Sequence, residues 1–286
     1  MNAAVREATQ ARHYAQPPQI TDEEGSRTWL TRGANFLVAV SQVSEEAVLA
    51  RDDNPDEYVL ILPRGVAATV TAGNDQVEAG EYSVTIIPPG PSSITFKNGG
   101  CVARVFSKEA EDLCAKAINA DLYSDGAPEC APLEPWPMPE GGYKLRHYPL
   151  DEYEMGDSAA MPSRLFRSRS LMINMFEPFD EPRDTEKLSP HWHDDFEQGS
   201  LVLDGTYMHH LRYPWTKKMS EWREDDHGEY GAPSVLIIPA GLIHTSRKIS
   251  YGPMLFVDIF SPPRIDFSKK PGIVLNADEY PMPPEN

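Results

Sequence analysis

The stretch HWHDDFEQGSLVLDG, residues 191–205, sets two histidines one residue apart, an acid four residues after the second, and a glycine behind an apolar run. Side chains alternate along a strand, so His191 and His193 share one face, and Glu197 joins them if the strand stays regular. Two imidazoles and a carboxylate make the corner of a site for a divalent metal, supplying borderline nitrogen and hard oxygen donors. A His-rich strand whose imidazoles are merely solvated is the competing reading, and a further ligand from another strand decides between them. IIPAGLIH, residues 237–244, offers it: an apolar strand enters a Pro-x-Gly turn and His244 follows.

Outward from this stretch the chain reads as short apolar runs of strand length. EYVLILP (57–63), YSVTIIP (82–88), CVARVF (101–106), SLMINMF (170–176) and MLFVDIF (254–260) are rich in Val, Ile and Phe and flanked by turn residues. That is an all-β pattern of sandwich or barrel type. One segment departs from it: KEAEDLCAKAINA (108–120) has acids in its first turn and good helix formers throughout, which predicts a helix. The Pro-rich residues 121–142 show neither period and read as a linker.

The two halves repeat. GEYSVTIIPPG (80–90) lies over GAPSVLIIPAG (231–241), and EYVLILPRG (57–65) over EQGSLVLDG (197–205); each half also closes a strand on Phe-Ser, at Phe106-Ser107 and Phe260-Ser261. In this register His191 and His193 fall on Arg51 and Asp53, and His244 on Ser93, so only Glu57 keeps ligand chemistry. A lone carboxylate does not hold a transition metal, and the first half is expected to be metal-free, with Arg51, Asp53 and Glu57 forming an ion-pair cluster.

These residues resemble the cupin superfamily, whose two-part pattern G-x5-H-x-H-x3,4-E-x6-G and G-x5-P-x-G-x2-H-x3-N is visible in His191, His193, Glu197 and Gly205, then in Pro239, Gly241 and His244. The resemblance implies two tandem jelly-roll β-barrels: a first cupin over residues 1–120, the linker 121–142, and a metal-binding cupin over 143–286. Seven residues rather than six separate Glu197 from Gly205, which leaves two assignments for the fourth ligand. The preferred one is Glu197, since an ionised carboxylate binds a cation better than an amide; Gln198 is the alternative. The resemblance also turns Tyr207, His209 and Leu211 toward the barrel, making Tyr207 and His209 candidates for acid–base work.

Composition narrows the function. With 44 acidic against 26 basic side chains in 286 residues, a net charge of −18 repels nucleic acid and anionic lipid. No segment is long and apolar enough to span a membrane, and Cys101, Cys114 and Cys130 lack CxxC spacing, which predicts reduced thiols and a cytoplasmic protein. Resemblance to cupins of this size implies an enzyme of small molecules carrying one divalent ion: iron is favoured, with manganese, zinc and nickel as alternatives. A dioxygenase acting on a small organic acid, diol or diketone is the first expectation, an isomerase or lyase the second, and a non-catalytic ligand binder the third. A homodimer is expected from the need to cover open sheet edges.

Overall fold

The computed structural model describes residues 4–155, 162–176 and 178–284, and in it the apolar runs are strands. Tyr58–Leu62 shows why they read as continuous rather than alternating: Tyr58, Leu60 and Leu62 point into one core, while Val59 and Ile61 point into another. A strand buried on both faces needs apolar side chains at every position.

Each half consists of a large and a small antiparallel sheet. The first half's large sheet runs Arg146–Pro149, Ser83–Ile87, Tyr58–Leu62, Gly100–Ser107, Phe36–Val43, Arg27–Arg32, Ile20–Thr21. The second half's runs Thr9–Arg12, Ser234–Ile238, Gln198–Asp204, Leu255–Phe260, Met172–Phe176, Ser163–Arg167, in matching order. Small sheets face them: Val48–Arg51, Ser92–Phe96, Ala68–Ala72 and Asp75–Ala79 in the first half, and Asp226–Tyr230, Tyr207–Arg212 and Ile243–Lys248 in the second. The architecture is therefore all-β, with only short helices, and the internal duplication extends to the pairing of the strands.

Two strands cross the expected division at 120 and 143. Thr9–Arg12 pairs with Ser234–Ile238 in the second half, while Arg146–Pro149 pairs with Ser83–Ile87 in the first. Each exchange covers a strand that would otherwise present an open edge. The outward faces of the two large sheets meet in one shared core that includes Val38, Val59, Val105, Ile173, Leu201 and Val257. The first barrel's interior is packed by a single cluster around Leu37, Leu60, Val70, Ile94 and Phe106. Smaller clusters line the second barrel around a cavity.

The helix expected over 108–120 is confined to Glu111–Cys114, followed by a short 3-10 turn at Ala120–Tyr123. Tertiary pairing wins over helix propensity here. The Ile118 amide donates to Leu30 O, and the Asn119 side chain pairs with both the N–H and the C=O of Arg32 at 3.0 and 2.8 Å. The second half repeats this device: Leu275 N donates to Leu165 O, and Asn276 pairs with both backbone groups of Arg167. The segments are Ile-Asn-Ala-Asp-Leu-Tyr at 118–123 and Leu-Asn-Ala-Asp-Glu-Tyr at 275–280, a repeat legible in the sequence. The linker is fastened to the second half, with Trp136 buried and its amide donating to Arg169 O.

Candidate metal centre and cavity

His191 and His244 form a two-way backbone bridge, each amide donating to the other's carbonyl at 3.0 and 2.8 Å, while Gly241 N donates to His193 O at 2.7 Å. The Pro-x-Gly turn is thus clamped onto the His-x-His segment, and one nitrogen from each of His191, His193 and His244 lies within 4.8 Å of the others. His191 Nδ1 donates to Ser189 O at 2.8 Å and His244 Nδ1 to Leu242 O at 2.9 Å. A carbonyl only accepts, so both Nδ1 atoms carry a proton, and in the neutral form of either ring the Nε2 lone pair is left for another partner. His244 Nε2 is buried and has no hydrogen-bond partner among the described residues. Burial lowers His193 to about 3 and His244 to about 4, with the neighbouring imidazoles and Arg264 acting in the same direction, so both rings are neutral donors at pH 7.

Glu197, the preferred fourth ligand in the sequence, is not part of this group. The segment between His193 and Gln198 is irregular, and the strand begins at Gln198, so the alternation assumed from His191 onward is broken. Along the strand Gln198, Ser200 and Val202 turn inward; Leu201 and Leu203 join the core between the halves, and Glu197 lies on that side. Its carboxylate accepts from Ala34 N at 2.6 Å and from Tyr123 Oη at 3.0 Å, and it lies beside Glu129 and Cys130. Gly33 makes the approach possible, because a Cβ there would come within 2.9 Å of Glu197 Oε2 and 2.6 Å of the Phe36 ring. Burial pushes the Glu197 carboxyl up to about 7 against the lowering effect of these hydrogen bonds.

Gln198 occupies the place beside the histidines. Its amide donates to Ser200 Oγ at 3.0 Å and Asp258 Oδ1 at 2.9 Å, which fixes Oε1 toward His193 Nε2 at 3.0 Å. A separation of about 3 Å also suits two adjacent ligands that each sit about 2.1 Å from one ion. The residues therefore fit a divalent metal: three imidazoles, those of His193 and His244 kept neutral by burial, an oriented amide oxygen and a buried Nε2 with no hydrogen-bond partner among the described residues. Asp258 is buried and lifted to about 7 by desolvation, against hydrogen bonds from Ser200 and Gln198.

His191 and His244 open on a cavity of about 610 Å³, whose wall includes Asn174, Phe176, Phe256, Asp258 and Arg264. Tyr207 is part of this wall, with its hydroxyl on Met254 Sδ at 3.0 Å. His209 lies behind the wall: Nδ1 is 2.6 Å from Ser246 Oγ, the ring packs edge-on to Tyr230, and burial lowers it to about 3. As placed, His209 supports the barrel rather than touching a ligand. No residue of 213–225 lines this wall; Trp215 and Trp222 stack on each other at 4.4 Å outside it. Asp258, Arg183 and Arg264 were missed in the sequence because only the fold brings these separate segments to the histidines.

In the first half Tyr58 and Arg104 stand where Gln198 and Asp258 stand in the second, and Arg51 is paired with Ser92 as His191 is with His244. The pairing thus selects Ser92 where the sequence register selects Ser93. Arg51 bonds Asp112 through both terminal nitrogens, at 2.7 and 2.9 Å, in place of the expected cluster with Asp53 and Glu57.

No protein-family model matches the chain, and no curated protein matches it. Solved structures do match. Lactobacillus farciminis oxalate decarboxylase in a formate complex aligns with a TM-score of 0.58 at 13% identity, over 92% of this chain and 88% of that one. An oxalate decarboxylase variant from Bacillus subtilis aligns with a TM-score of 0.59 at 14% identity, over 91% and 78%. A structure concerned with the Mn(II) centres of the Bacillus subtilis enzyme gives 0.59 at 13%, over 95% and 83%. The fold is that of these two-barrel cupin structures. At such identity the likeness speaks for architecture alone.

Proposed function

We propose that the chain is a metal-dependent enzyme that transforms a small organic anion in the second barrel, with His191, His193, His244 and Gln198 holding one divalent ion. The observation that carries this reading is the convergence of three imidazoles and an oriented amide oxygen beside a cavity. Neutral ligands leave the full charge of the ion to be met by what binds there, which favours an anionic substrate. A bound ion would supply Lewis acidity toward a substrate oxygen. The protein's own groups do the rest: Gln198 is held by Asp258 and Ser200, Tyr207 contributes a neutral hydroxyl to the wall, and the phenylalanines exclude water.

Dioxygen-dependent cleavage on iron is the first reaction class to test. Decarboxylation or another lyase reaction, with manganese, is the second, favoured by the reaction named for the similar structures. The first barrel belongs to this reading as a metal-free support, since Tyr58 and Arg104 fill the corresponding places. A homodimer is also part of the proposal, to be checked by light scattering. Among the described residues no helix is long and apolar enough to cross a membrane.

The test is reconstitution with Fe(II) or Mn(II) and exposure to a panel of organic acids, recording oxygen uptake and carbon dioxide release. Turnover that needs metal and disappears in His244→Ala supports the proposal; turnover unchanged by chelation or by that substitution contradicts it.

A further inference from the structure

Arg183 forms part of the cavity wall and, among the described residues, has no acid as a hydrogen-bond or ion-pair partner. Its guanidinium donates to Ser246 O at 2.8 Å and to Lys187 O and Ser189 Oγ, both at 3.1 Å, which leaves part of its five-hydrogen fork unused. Lys248 stands behind it: the Arg183 amide donates to Lys248 O, and the buried Lys248 ammonium donates to the carbonyls of Phe179 and Gly252. Asp180 and Asp204 are near enough to favour that ammonium, but neither bonds it. Two half-buried or buried cations without anionic contacts are costly unless something neutralises them. In a chain of net charge −18, their meeting on one side of a cavity runs against composition.

The geometry fixes where this positive side lies. His244, Ser246 and Lys248 alternate along one strand and all line the cavity, so Ser246, which Arg183 holds, is about 7 Å from His244 along the chain. Between and around them the wall is aromatic: Phe176, Phe179, Phe256 and Phe260. Oxalate, two joined carboxylates with no apolar surface, would leave most of about 610 Å³ empty and these rings without a partner.

Resting on the functional reading above, we infer that the substrate is an amphipathic, ring-sized carboxylate, whose acid group meets Arg183 while its oxygen-bearing reactive end faces His191, His244 and Gln198. Arg183 selects the substrate by a charge-assisted contact, and the phenylalanines bind its apolar body.

The probe is 3-(3,4-dihydroxyphenyl)propanoate, compared with its carboxamide and with oxalate by calorimetry on metal-loaded and chelator-treated protein. The unmodified protein is expected to bind the acid about tenfold or more tightly than the amide. Arg183→Gln should abolish that preference with metal content unchanged, and Arg183→Lys should restore part of it. Equal binding of acid and amide, an undiminished preference in Arg183→Gln, or tighter binding of oxalate than of the aryl acid would each overturn the inference. If Arg183→Gln does not fold, the acid–amide comparison on the unmodified protein decides alone. Failure to take up metal would instead remove the functional reading, and the two failures are separable because acid preference is also measured without metal.

Discussion

Tyr280 Oη donates to Glu57 Oε1 at 2.7 Å across the boundary between the halves, and Arg169 N donates to the same carboxylate at 3.2 Å. Tyr123 and Ala34 N make the equivalent pair of contacts to Glu197. The duplication therefore includes a reciprocal fastening, in which a glutamate of each barrel is held by a hairpin amide of the other half and by the tyrosine of an Asn-Ala-Asp-x-Tyr segment. Tyr280→Phe and Tyr123→Phe remove one charge-assisted hydrogen bond each from a buried acid. Each is expected to cost about 1–3 kcal/mol, read as a lower urea midpoint. Unchanged midpoints would show that the tyrosines only pack.

The glutamate at the end of the cupin-like His-x-His stretch thus has a neighbour-binding task that the sequence does not reveal. The apolar strands, the internal repeat and the three histidines were legible because they rest on local periodicity and on a Pro-x-Gly spacing. Glu197 was misplaced because a regular strand was assumed from 191 to 197, whereas regular alternation starts at Gln198. Moving the start by one residue exchanges the faces. The helix at 108–120 was overextended because the claim of strand Arg27–Arg32 on Ile118 and Asn119 is a tertiary effect. The Asn-Ala-Asp-x-Tyr repeat is present in the sequence, but it lies outside the glycine- and proline-flanked strands that carry the more visible duplication.

Gln198→Glu tests the orientation of the amide. The variant loses its N–H donation to Asp258 and sets two acids together, so the metal-free protein is expected to be about 1–3 kcal/mol less stable. A bound divalent ion would be held by a charged ligand and offset this loss. Melting with and without metal should show a larger metal-induced rise in Tm for the variant than for the unmodified protein; an equal rise would count against Gln198 as a ligand.

His13 contributes acid sensitivity away from the metal centre. His13 is buried against Trp29, and burial lowers it to about 4. The unfolded chain takes up this proton near 6.5, so between about 6.5 and 4 the unfolded state binds more protons and stability falls as pH falls. The full contribution is present above about 6.5, and close to 3 kcal/mol is lost by about pH 4. His13→Phe keeps a ring over Trp29 and should flatten the fall in unfolding free energy across this window. A pH profile parallel to that of the unmodified protein would contradict the assignment.

The most direct measurement is metal content by elemental analysis after reconstitution, comparing the unmodified protein with His193→Ala, His244→Ala, Gln198→Ala and Glu197→Gln, each checked for folding by circular dichroism. About one equivalent of divalent metal is expected in the unmodified protein. That metal should be lost in both histidine variants, bound about ten- to a hundredfold more weakly in Gln198→Ala, and kept in Glu197→Gln. Metal lost on replacing Glu197, or kept when His193 and His244 are removed, would contradict the ligand assignment.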